Sequence, residues 1–416
     1  MRTAQASTQE RFLSLWERYA IAAQQAGLVR LRIDDHDLDA PYLEVNRQRL
    51  VNFGSCAYLG LNTDQRLKEA AKSAIDRYGT VYSSSAIYTS VGLYTELEQS
   101  LRQIIGAPVL VATTTTLAHL AAIPTLVGEE DAVLVDTQAH ASVHLASRVV
   151  ASVGIPVLPV PHNDMAALES MLTETSPEYR HVWYLADGIY SMFGDGAPVA
   201  AFERLLHQFP NLFMYVDDAH SFGWKGRHGS GWILDQMSWH PRLVLAFSLA
   251  KSWGSGGAAL AFPNEEMASR VLTVGSTFTF SGPLHPAELG ASVAAAEIHL
   301  SDEHRERQAA LLRQIEFVRS ALDDANLPVM PTDNTPLWFV PVGSYSKAAD
   351  LCRNMIDRGF YLNLASIPAV PMKFSGVRFT NTLYNSDAQI LAMVEALRAN
   401  IPTSEVVIDL TERIAR

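Results

Sequence analysis

Short apolar runs alternate with helix-like segments along much of the chain, and this alternation constrains the fold most strongly. Parallel strands need long crossover connections, which are usually helices, and runs without polar interruptions are typical of strands buried on both faces. The pattern predicts an α/β protein whose mostly parallel sheet is covered by helices on both faces. The apolar runs are Val109–Ala112, Ala132–Val135, Val157–Val160, His181–Ala186, Leu212–Val216 and Leu243–Phe247.

The rhythm changes after Pro286, where a helical pattern covers residues 287–325 and shorter strand-like and helical segments follow. We predict three parts: an N-terminal helix and arm over residues 1–50, a large domain over residues 51–290, and a small α+β domain over residues 291–416. A chain of 416 residues that is 48% hydrophobic can bury the core that this division needs.

Composition argues against several classes of protein. The net charge of −12, without a basic stripe, argues against a nucleic-acid partner. The two cysteines, Cys56 and Cys352, build no disulfide framework and are typical of a reducing compartment. The uncharged stretch 107–127 contains four consecutive threonines, a histidine and an interior proline, which indicates a strand and a buried helix rather than a membrane span. With a polar start after Met1, we predict a cytoplasmic protein without a membrane span.

The last apolar run leads into Lys251, which a glycine-rich turn follows. An amine at the mouth of a buried strand is costly unless it is paired or used covalently, and its pKa falls readily on desolvation, which suits a Schiff base. The preceding run leads into Asp217 and His220, and 34 residues separate Asp217 from Lys251. Because this separation is roughly one strand, loop and further strand, we expect the carboxylate, imidazole and amine to meet at one sheet edge.

Each of these residues alone also has an ordinary structural interpretation. A strand-end aspartate is often a cap, and a single lysine is often a solvated surface residue. Ser248 and Lys251 match the S-x-x-K pattern of penicillin-binding proteins, but no S-D-N or K-T-G companion occurs in the chain. His140 and His144 have the spacing of a helical metal pair, yet no further ligands complete a zinc site, and we predict no metal.

Several motifs, including the segments around Asp217 and Lys251, occur along the chain in a characteristic order. They are Tyr58-Leu59-Gly60-Leu61, Asp136–Ser142, Ser191–Pro198, Asp217–His220, Lys251 with its glycines, and Val377–Thr380. Together they resemble the pyridoxal-phosphate α-oxoamine synthases, the family of 8-amino-7-oxononanoate synthase, 2-amino-3-ketobutyrate CoA ligase, serine palmitoyltransferase and 5-aminolevulinate synthase. The resemblance implies fold type I, as in aspartate aminotransferase, with a seven-stranded sheet in the large domain and a homodimer that shares its active sites.

The resemblance implies roles for four residues around the pyridoxal ring. Lys251 is expected to bind the cofactor covalently and then to remove the α proton of the substrate. Asp217 is expected to pair with the pyridine nitrogen, because an adjacent carboxylate favours the protonated ring. His220 is expected to bond the ring hydroxyl, and His140 to lie flat on the ring.

Five hydroxyl side chains complete the cofactor-binding set that the resemblance implies. Thr115 and Thr116 belong to the segment Thr114-Thr115-Thr116, which aligns with the family's Ser-Gly-aromatic turn and offers backbone donors at a helix N-terminus to the phosphate. A threonine in place of the glycine narrows the backbone angles available there. Ser248 matches a second phosphate hydroxyl, and Ser191 lies in a matching motif. Ser281 matches the segment that reaches over from the other subunit, so the site is expected to require a dimer.

The substrate end departs from the family pattern. Arg378 matches the family residue that grips the substrate carboxylate, although a surface arginine on a strand would look the same. The family's Asn-Asp pair is Cys56 and Ala57 here, its glycine-rich loop is a segment around Ser84, and its asparagine after the phosphate turn is His119. Because these positions line the amino-acid and acyl end in relatives, we expect a substrate other than glycine.

The predicted function is a pyridoxal-phosphate acyltransferase that condenses an amino acid with an acyl thioester, on CoA or a carrier protein, and releases CO2 to give an α-amino ketone. An aminotransferase or carbon–carbon lyase on the same fold is one alternative. A catalytically silent subunit of a synthase heterodimer is another, against which the retention of Lys251, Asp217 and His220 argues. Residues 187–191 and 248–251 also resemble, more distantly, the branch that makes amino-ketone autoinducers.

Overall fold

The computed structural model describes residues 8–34, 40–85, 87–330 and 333–401. Within them the chain forms two compact units. The first unit contains residues 8–55, 192–194 and 311–401, and the second contains residues 56–191 and 195–310. The predicted domain limits at residues 50 and 290 stay a prediction.

Strands and helices follow one another along the chain. The strands are β1 Tyr42–Val45, β2 Gln48–Asn52, β3 Val109–Ala112, β4 Ala132–Asp136, β5 Val157–Val160, β6 Val182–Asp187, β7 Leu212–Asp217, β8 Leu243–Ser248, β9 Ala258–Ala261, β10 Leu337–Gly343, β11 Phe360–Tyr361, β12 Asn363–Ala365 and β13 Ser375–Thr380. The α-helices are α1 Thr8–Gln25, α2 Gln65–Tyr78, α3 Gly92–Ile105, α4 Thr115–Leu126, α5 Ala141–Ser152, α6 Met165–Thr175, α7 Val199–Gln208, α8 Trp232–Gln236, α9 Glu265–Val274, α10 Ser276–Thr279, α11 Pro286–His299, α12 Asp302–Asp324, α13 Tyr345–Asp357 and α14 Asp387–Asn400.

A seven-stranded sheet in the order β3-β9-β8-β7-β6-β4-β5 forms the centre of the second unit. Neighbouring strands are parallel except where β9 pairs antiparallel with β3 and β8. The six strands predicted from apolar runs each begin and end within one residue of their predicted limits. The runs did not reveal β9, because Ala-Ala-Leu-Ala lacks the β-branched and aromatic residues that are typical of strands. The mostly parallel seven-stranded sheet is confirmed.

Small side chains let α4 pack closely on this sheet. Ala118, Ala121 and Ala122 are fully buried in one hydrophobic core with residues of β3, β4, β8 and β9. The face of α5 that joins the same core carries Val143 and Ala146. The dense contact fixes α4 relative to the strand ends, so the first turn of α4 has a defined position at the edge of the sheet.

Strands β6, β7 and β8 end side by side, and their register places the polar residues that follow them. Asp187 pairs with Asp217, and Asp217 pairs with Ala246, two residues before the end of β8 at Ser248. In open α/β sheets ligands bind outside the carboxyl ends of the strands. The sheet therefore presents two carboxylates at the edge where a ligand is expected.

The long helical pattern over residues 287–325 forms two helices rather than one. Helix α11 ends at His299, where the Ser301 hydroxyl donates to the Ile298 carbonyl at 2.7 Å, and α12 begins at Asp302. Asp302 and Glu303 favour a new start because negative side chains stabilise a helix N-terminus. Helical periodicity continues through the break, which is why the pattern concealed it.

The uncharged stretch 107–127 forms β3 and α4, as predicted. None of the helices in the described ranges combines the length and apolar character that crossing a membrane requires.

The first unit has small sheets and fewer helices. Strands β10, β13 and β12 form an antiparallel sheet on which α13 packs, and α14 packs on α13. Strands β1, β2 and β11 form the other sheet. In α1, the ring of Tyr19 lies 4.6 Å from the ring of Tyr345, centroid to centroid. This arrangement has the α+β character predicted for the C-terminal part of the chain.

Candidate active site

A cavity of about 230 Å³ in the second unit is lined by residues at or just after the ends of β6, β7 and β8, by the first turn of α4, and by the residue that precedes α5. It brings together predicted site residues from four separate segments: Thr115, Thr116, His140, Asp217, His220, Ser248 and Lys251. The remaining lining residues are Thr113, Thr114, Asp187, Ile189, Ala219, Ala250 and Gly257.

The turn after β8 positions Lys251. The Leu249 N–H donates to the Gly257 carbonyl at 3.0 Å and so closes the turn. Gly254 has φ +87°, and a Cβ there would lie 2.6 Å from Leu61 Cβ, so both conformation and space require glycine. The glycines that follow the lysine in the sequence thus hold its backbone in a fixed place beside the cavity.

Asp217 is the buried last residue of β7 and accepts two hydrogen bonds. Its Oδ1 accepts from the Ala219 N–H at 3.1 Å, and its Oδ2 lies 2.9 Å from His119 Nε2. Burial alone would raise its pKa, but the charge and hydrogen bond of His119, with Lys251 and His140 nearby, lower the pKa of Asp217 to about 2. The cavity therefore presents an ionised carboxylate, the partner that a protonated pyridine nitrogen needs.

His220 is held by an aromatic group. Its Nδ1 lies 2.9 Å from the Tyr58 hydroxyl, and its carbonyl accepts from Trp224 Nε1 at 2.8 Å. The rings of Tyr58 and Trp224 meet edge to face, with 6.4 Å between their centroids. The Tyr-Leu-Gly-Leu motif thus contributes to the site by orienting this imidazole.

His140 caps the N-terminus of α5. Its Nδ1 accepts from the Ser142 N–H at 3.3 Å and lies 2.6 Å from Ser142 Oγ, and its backbone N–H donates to Asp187 Oδ1 at 3.0 Å. Burial lowers the pKa of His140. The capping contacts therefore restrain this imidazole at the cavity wall, where the resemblance expects a ring that covers the cofactor.

Asp187 is a cavity residue to which sequence reasoning assigned no role. Burial, together with the neighbouring charge of Asp217, raises the pKa of Asp187 well above its ordinary value. The two carboxyls thus differ in charge: Asp217 is ionised and Asp187 is held towards its protonated form. The signal was present in the sequence, because Asp187 ends β6 as Asp217 ends β7, and such ends share one sheet edge.

The first turn of α4 suits an anion. Thr114 caps the helix, with its Oγ1 accepting from the Leu117 N–H at 3.2 Å, and the helix begins at Thr115. The first N–H groups of a helix have no partner inside it and lie at the positive end of its dipole. Threonine replaces the family glycine without strain here, because Thr115 has the helical conformation that any residue adopts.

Other predicted site residues lie elsewhere. Within the part of the chain that the structure describes, Ser191, Cys56 and Ser84 do not line this cavity, and Ser84 Oγ accepts instead from Thr89 Oγ1 at 3.0 Å. Their predicted roles stay predictions.

Ser281 lines a second cavity, of about 130 Å³, which shares Thr113 with the first cavity. Arg378 belongs to the other unit, in the middle of β13, where its Nη1 lies 3.5 Å from Asn363 Oδ1 and the residue is buried. The subunit-crossing role of Ser281 and the carboxylate-binding role of Arg378 also stay predictions.

The interpretation of His119 as a residue of the substrate end was wrong. Its side chain is fully buried behind Asp217, and its second ring nitrogen, Nδ1, lies 2.8 Å from the Tyr215 hydroxyl. Alignment of His119 with the family's asparagine gave the position of the residue along α4. It did not give the direction of the longer side chain, which depends on how α4 packs against β7.

These residues fit pyridoxal phosphate. The cavity offers an amine for the aldehyde, an ionised carboxylate for the pyridine nitrogen, imidazoles at its walls, and a helix N-terminus with hydroxyls for the phosphate. Each group comes from a different strand end or helix start, so the sheet edge itself assembles the set.

Comparisons with known proteins agree with this arrangement. Residues 48–396 match the family model described as aminotransferase class I and II. The 8-amino-7-oxononanoate synthase of Maricaulis maris is 33% identical over 399 residues, which cover 94% of this chain and 97% of that protein. A putative 8-amino-7-oxononanoate synthase of Microcystis aeruginosa is 30% identical and covers 87% of this chain and 91% of its own length.

Solved structures show the same fold. A serine palmitoyltransferase from S. paucimobilis superimposes with a TM-score of 0.85 at 21% identity, covering 95% of this chain and 98% of its own. The 8-amino-7-oxononanoate synthase of Francisella tularensis gives a TM-score of 0.70 at 20% identity, covering 85% and 98%. Fold type I, the α-oxoamine synthase resemblance and pyridoxal phosphate as cofactor are confirmed, and the chain is an enzyme that belongs to the aminotransferase class I and II family.

Proposed function

We propose that the protein condenses an amino acid with an acyl thioester and releases CO2, which gives an α-amino ketone. The observation that carries this proposal is the single cavity in which Lys251, ionised Asp217 and the first turn of α4 meet. The names of the relatives support it, because an 8-amino-7-oxo product carries an amino group next to a ketone. A carbon–carbon bond forms at the α carbon as the thioester carbon–sulfur bond breaks and the thiol leaves. The carboxylate leaves as CO2, and a proton takes its place on the α carbon.

The residues divide the work by their charge and position. Pyridoxal phosphate, when bound, supplies the electron sink for the carbanion at the α carbon. The amine of Lys251 would take the α proton of the bound substrate. Asp217 would favour a protonated pyridine nitrogen through its negative charge. His140, restrained by Ser142, would cover one face of the ring, and His220, held by Tyr58, would bond the ring hydroxyl.

We propose that two copies of the chain form the working enzyme. Tyr88 and Phe280 are 81% and 87% exposed, and exposed apolar patches mark sites of protein association. The segment before Tyr88 and the helix that ends just before Phe280 are joined by the Ser85 hydroxyl, which donates to the Thr279 carbonyl at 2.7 Å. Ser281 follows Phe280 directly, so a dimer formed here would bring the predicted subunit-crossing residue to the interface.

We propose an amino-acid substrate other than glycine, such as serine, alanine or a larger amino acid. Cys56 and Ser84 replace polar or glycine positions of the family's substrate end, and a mismatched buried polar group costs about 1–3 kcal/mol. The thioester carrier, CoA or a carrier protein, is open in this proposal.

The experiment is to load the purified protein with pyridoxal phosphate, record its absorbance spectrum with each common amino acid, and then add acyl thioesters. We expect one amino acid other than glycine to change the spectrum, followed by release of free thiol and CO2 in equal amounts. Turnover with a keto-acid partner supports an aminotransferase, and fragments without thiol release support a lyase. A response to glycine alone contradicts the substrate proposal but leaves the reaction class standing.

Lys251→Ala is the decisive variant. We expect it to abolish both the yellow colour and the borohydride-reducible adduct, because Lys251 is the cavity lysine. Lys225→Ala is the matched control, since Lys225 pairs with Asp235 at 3.0 Å away from the cavity, and it should keep the colour. A reducible adduct in Lys251→Ala, or a wild-type protein that stays colourless with added cofactor, would contradict the proposal. The second result would favour the silent subunit.

A further inference from the structure

Three buried side chains form a row of hydrogen bonds behind the cavity. Asp217 Oδ2 lies 2.9 Å from His119 Nε2, and His119 Nδ1 lies 2.8 Å from the Tyr215 hydroxyl. His119 and Tyr215 have no exposed surface, and Asp217 is 5% exposed. Asp217 is thus the member of this row that faces the cavity, while the other two lie in the core.

The ionised carboxylate determines the direction of the first hydrogen bond. A carboxylate only accepts, so the proton of this contact is on His119 Nε2. The second ring nitrogen, Nδ1, bonds the Tyr215 hydroxyl, which can both donate and accept. Every polar atom of the imidazole therefore has a partner, as a buried polar group requires. The other titratable groups near Asp217 include Asp187 at the end of β6, His140 at the start of α5, Lys251 after β8, the neighbouring Asp218, and His220 of the same cavity.

Helix α4 carries both the first turn that lines the cavity and His119. Thr115 begins α4 at the cavity, and His119, four residues later, lies one helical turn further along on the same face. The turn expected to hold the phosphate and the imidazole that holds Asp217 thus move as one rigid body. A residue that is long enough to reach from α4 to the end of β7 is needed for this connection.

We propose that His119 is a positioning residue, which holds the Asp217 carboxylate ionised and aimed into the cavity through a hydrogen-bond chain that ends on Tyr215. The proposal rests on the proposed function, in which Asp217 supports the pyridine nitrogen. His119 does not itself line the cavity. Its effect on the cofactor is therefore transmitted through Asp217, and it is measurable without turnover.

The test compares His119→Gln with His119→Leu. Glutamine places an N–H near the position of Nε2 and keeps the bond to Asp217, whereas leucine fills space without a donor. Two measurements are made on each protein: the dissociation constant of pyridoxal phosphate, and the pH at which the absorbance of the bound cofactor changes by half. Tyr215→Phe removes only the far end of the chain, and Tyr184→Phe, a buried tyrosine that bonds Asp136 instead, is its matched control.

We expect His119→Leu to weaken cofactor binding about tenfold and to shift the absorbance midpoint by about one pH unit, as the loss of one charge-assisted hydrogen bond implies. His119→Gln should restore most of both values, Tyr215→Phe should give a smaller shift in the same direction, and Tyr184→Phe should give none. Equal effects of glutamine and leucine, or a Tyr215→Phe midpoint equal to that of wild type, overturn the inference.

Should His119→Leu fail to fold, Tyr215→Phe against Tyr184→Phe still decides the matter, because each removes one hydroxyl and keeps the ring. A wild-type protein that binds pyridoxal phosphate while all four variants bind and titrate identically overturns this inference alone. A wild-type protein that binds no pyridoxal phosphate overturns the proposed function and the inference with it.

Discussion

Asp217 and Asp187 show how two identical side chains acquire different charges at adjacent strand ends. Asp217 has His119 against one oxygen and the Ala219 N–H against the other, and its pKa falls to about 2. Asp187 is buried beside that charge, and its pKa rises. Two carboxyls this close cannot both ionise easily, so the one with the stronger donors remains charged.

This difference predicts that substitution by asparagine affects turnover far more at Asp217 than at Asp187. Asp217→Asn removes a charge and should lower turnover about 100-fold or more, because the ring proton loses its counter-charge. Asp187→Asn replaces a carboxyl that is already held towards its neutral form, so it should have a much smaller effect. Steady-state kinetics and thermal unfolding of both variants provide the check. Equal losses of turnover would contradict the assignment of the charge to Asp217.

Gly188 is packed so closely that a larger residue does not fit. A Cβ at this position would overlap the carboxylate of Asp218, which is fully buried and accepts from the Ile233 N–H at 3.2 Å. Gly188→Ala should therefore destabilise the protein by about 1–3 kcal/mol. Gly92→Ala is the control, since its Cβ would meet only Tyr78 Oη, at 3.9 Å, and should change little. Chemical denaturation compares them, and equal stabilities would contradict the close packing.

At the scale of elements, His162 connects its own segment with the end of β4 and the turn after β6. Its Nδ1 lies 3.1 Å from Asp136 at the end of β4, and its Nε2 lies 2.7 Å from Asp195 in the turn after β6. Burial alone would lower the pKa of His162, but the two carboxylates raise it to about 9. The loop that begins at Asp187 is therefore held by charge as well as by packing.

The elevated pKa predicts a dependence on pH. Protonation of His162 stabilises the folded state, so the contribution is fully present below pH 6.5 and is lost as the pH rises through 9. His162→Gln should lower the free energy of unfolding by about 1–3 kcal/mol at pH 6 and by less at pH 10. Urea denaturation at both pH values is the measurement, with His181→Gln as a less buried control. A loss that is the same at both pH values would contradict this role.

At the scale of the whole molecule, the proposed dimer predicts which surface residues are needed for association. Introducing lysine at Tyr88 and Phe280 should shift the protein from dimer to monomer, because two charges would be buried without partners. The same treatment of Val153, which is 70% exposed on a different element, should leave the dimer intact. Sedimentation velocity distinguishes the states. A wild-type protein that sediments as a monomer would contradict the proposal, and the variant should also lose cofactor if Ser281 acts across the interface.

Local sequence patterns predict most of the large sheet and several residues of the site. Six of the seven strands of the large sheet were predicted within one residue, because strands buried on both faces are continuous apolar runs. The meeting of Asp217, His220 and Lys251 in one cavity followed from the same reasoning, since parallel strands of one sheet end at one edge. Local sequence did not predict β9, and it predicted one helix where α11 and α12 are separate. Neither the short strand nor the break between the helices has a distinctive local pattern.

Only the tertiary structure decided which side chains support those at the edge. His119 and Asp217 are 98 residues apart, and their contact depends on the angle at which the small residues of α4 let it pack against the sheet. The same holds for Tyr58 on His220, 162 residues away. The sequence by itself determined the order of the strands' apolar runs and the chemistry at their ends. The partners behind that chemistry came from packing, because a long-range hydrogen bond leaves no periodic trace in the chain.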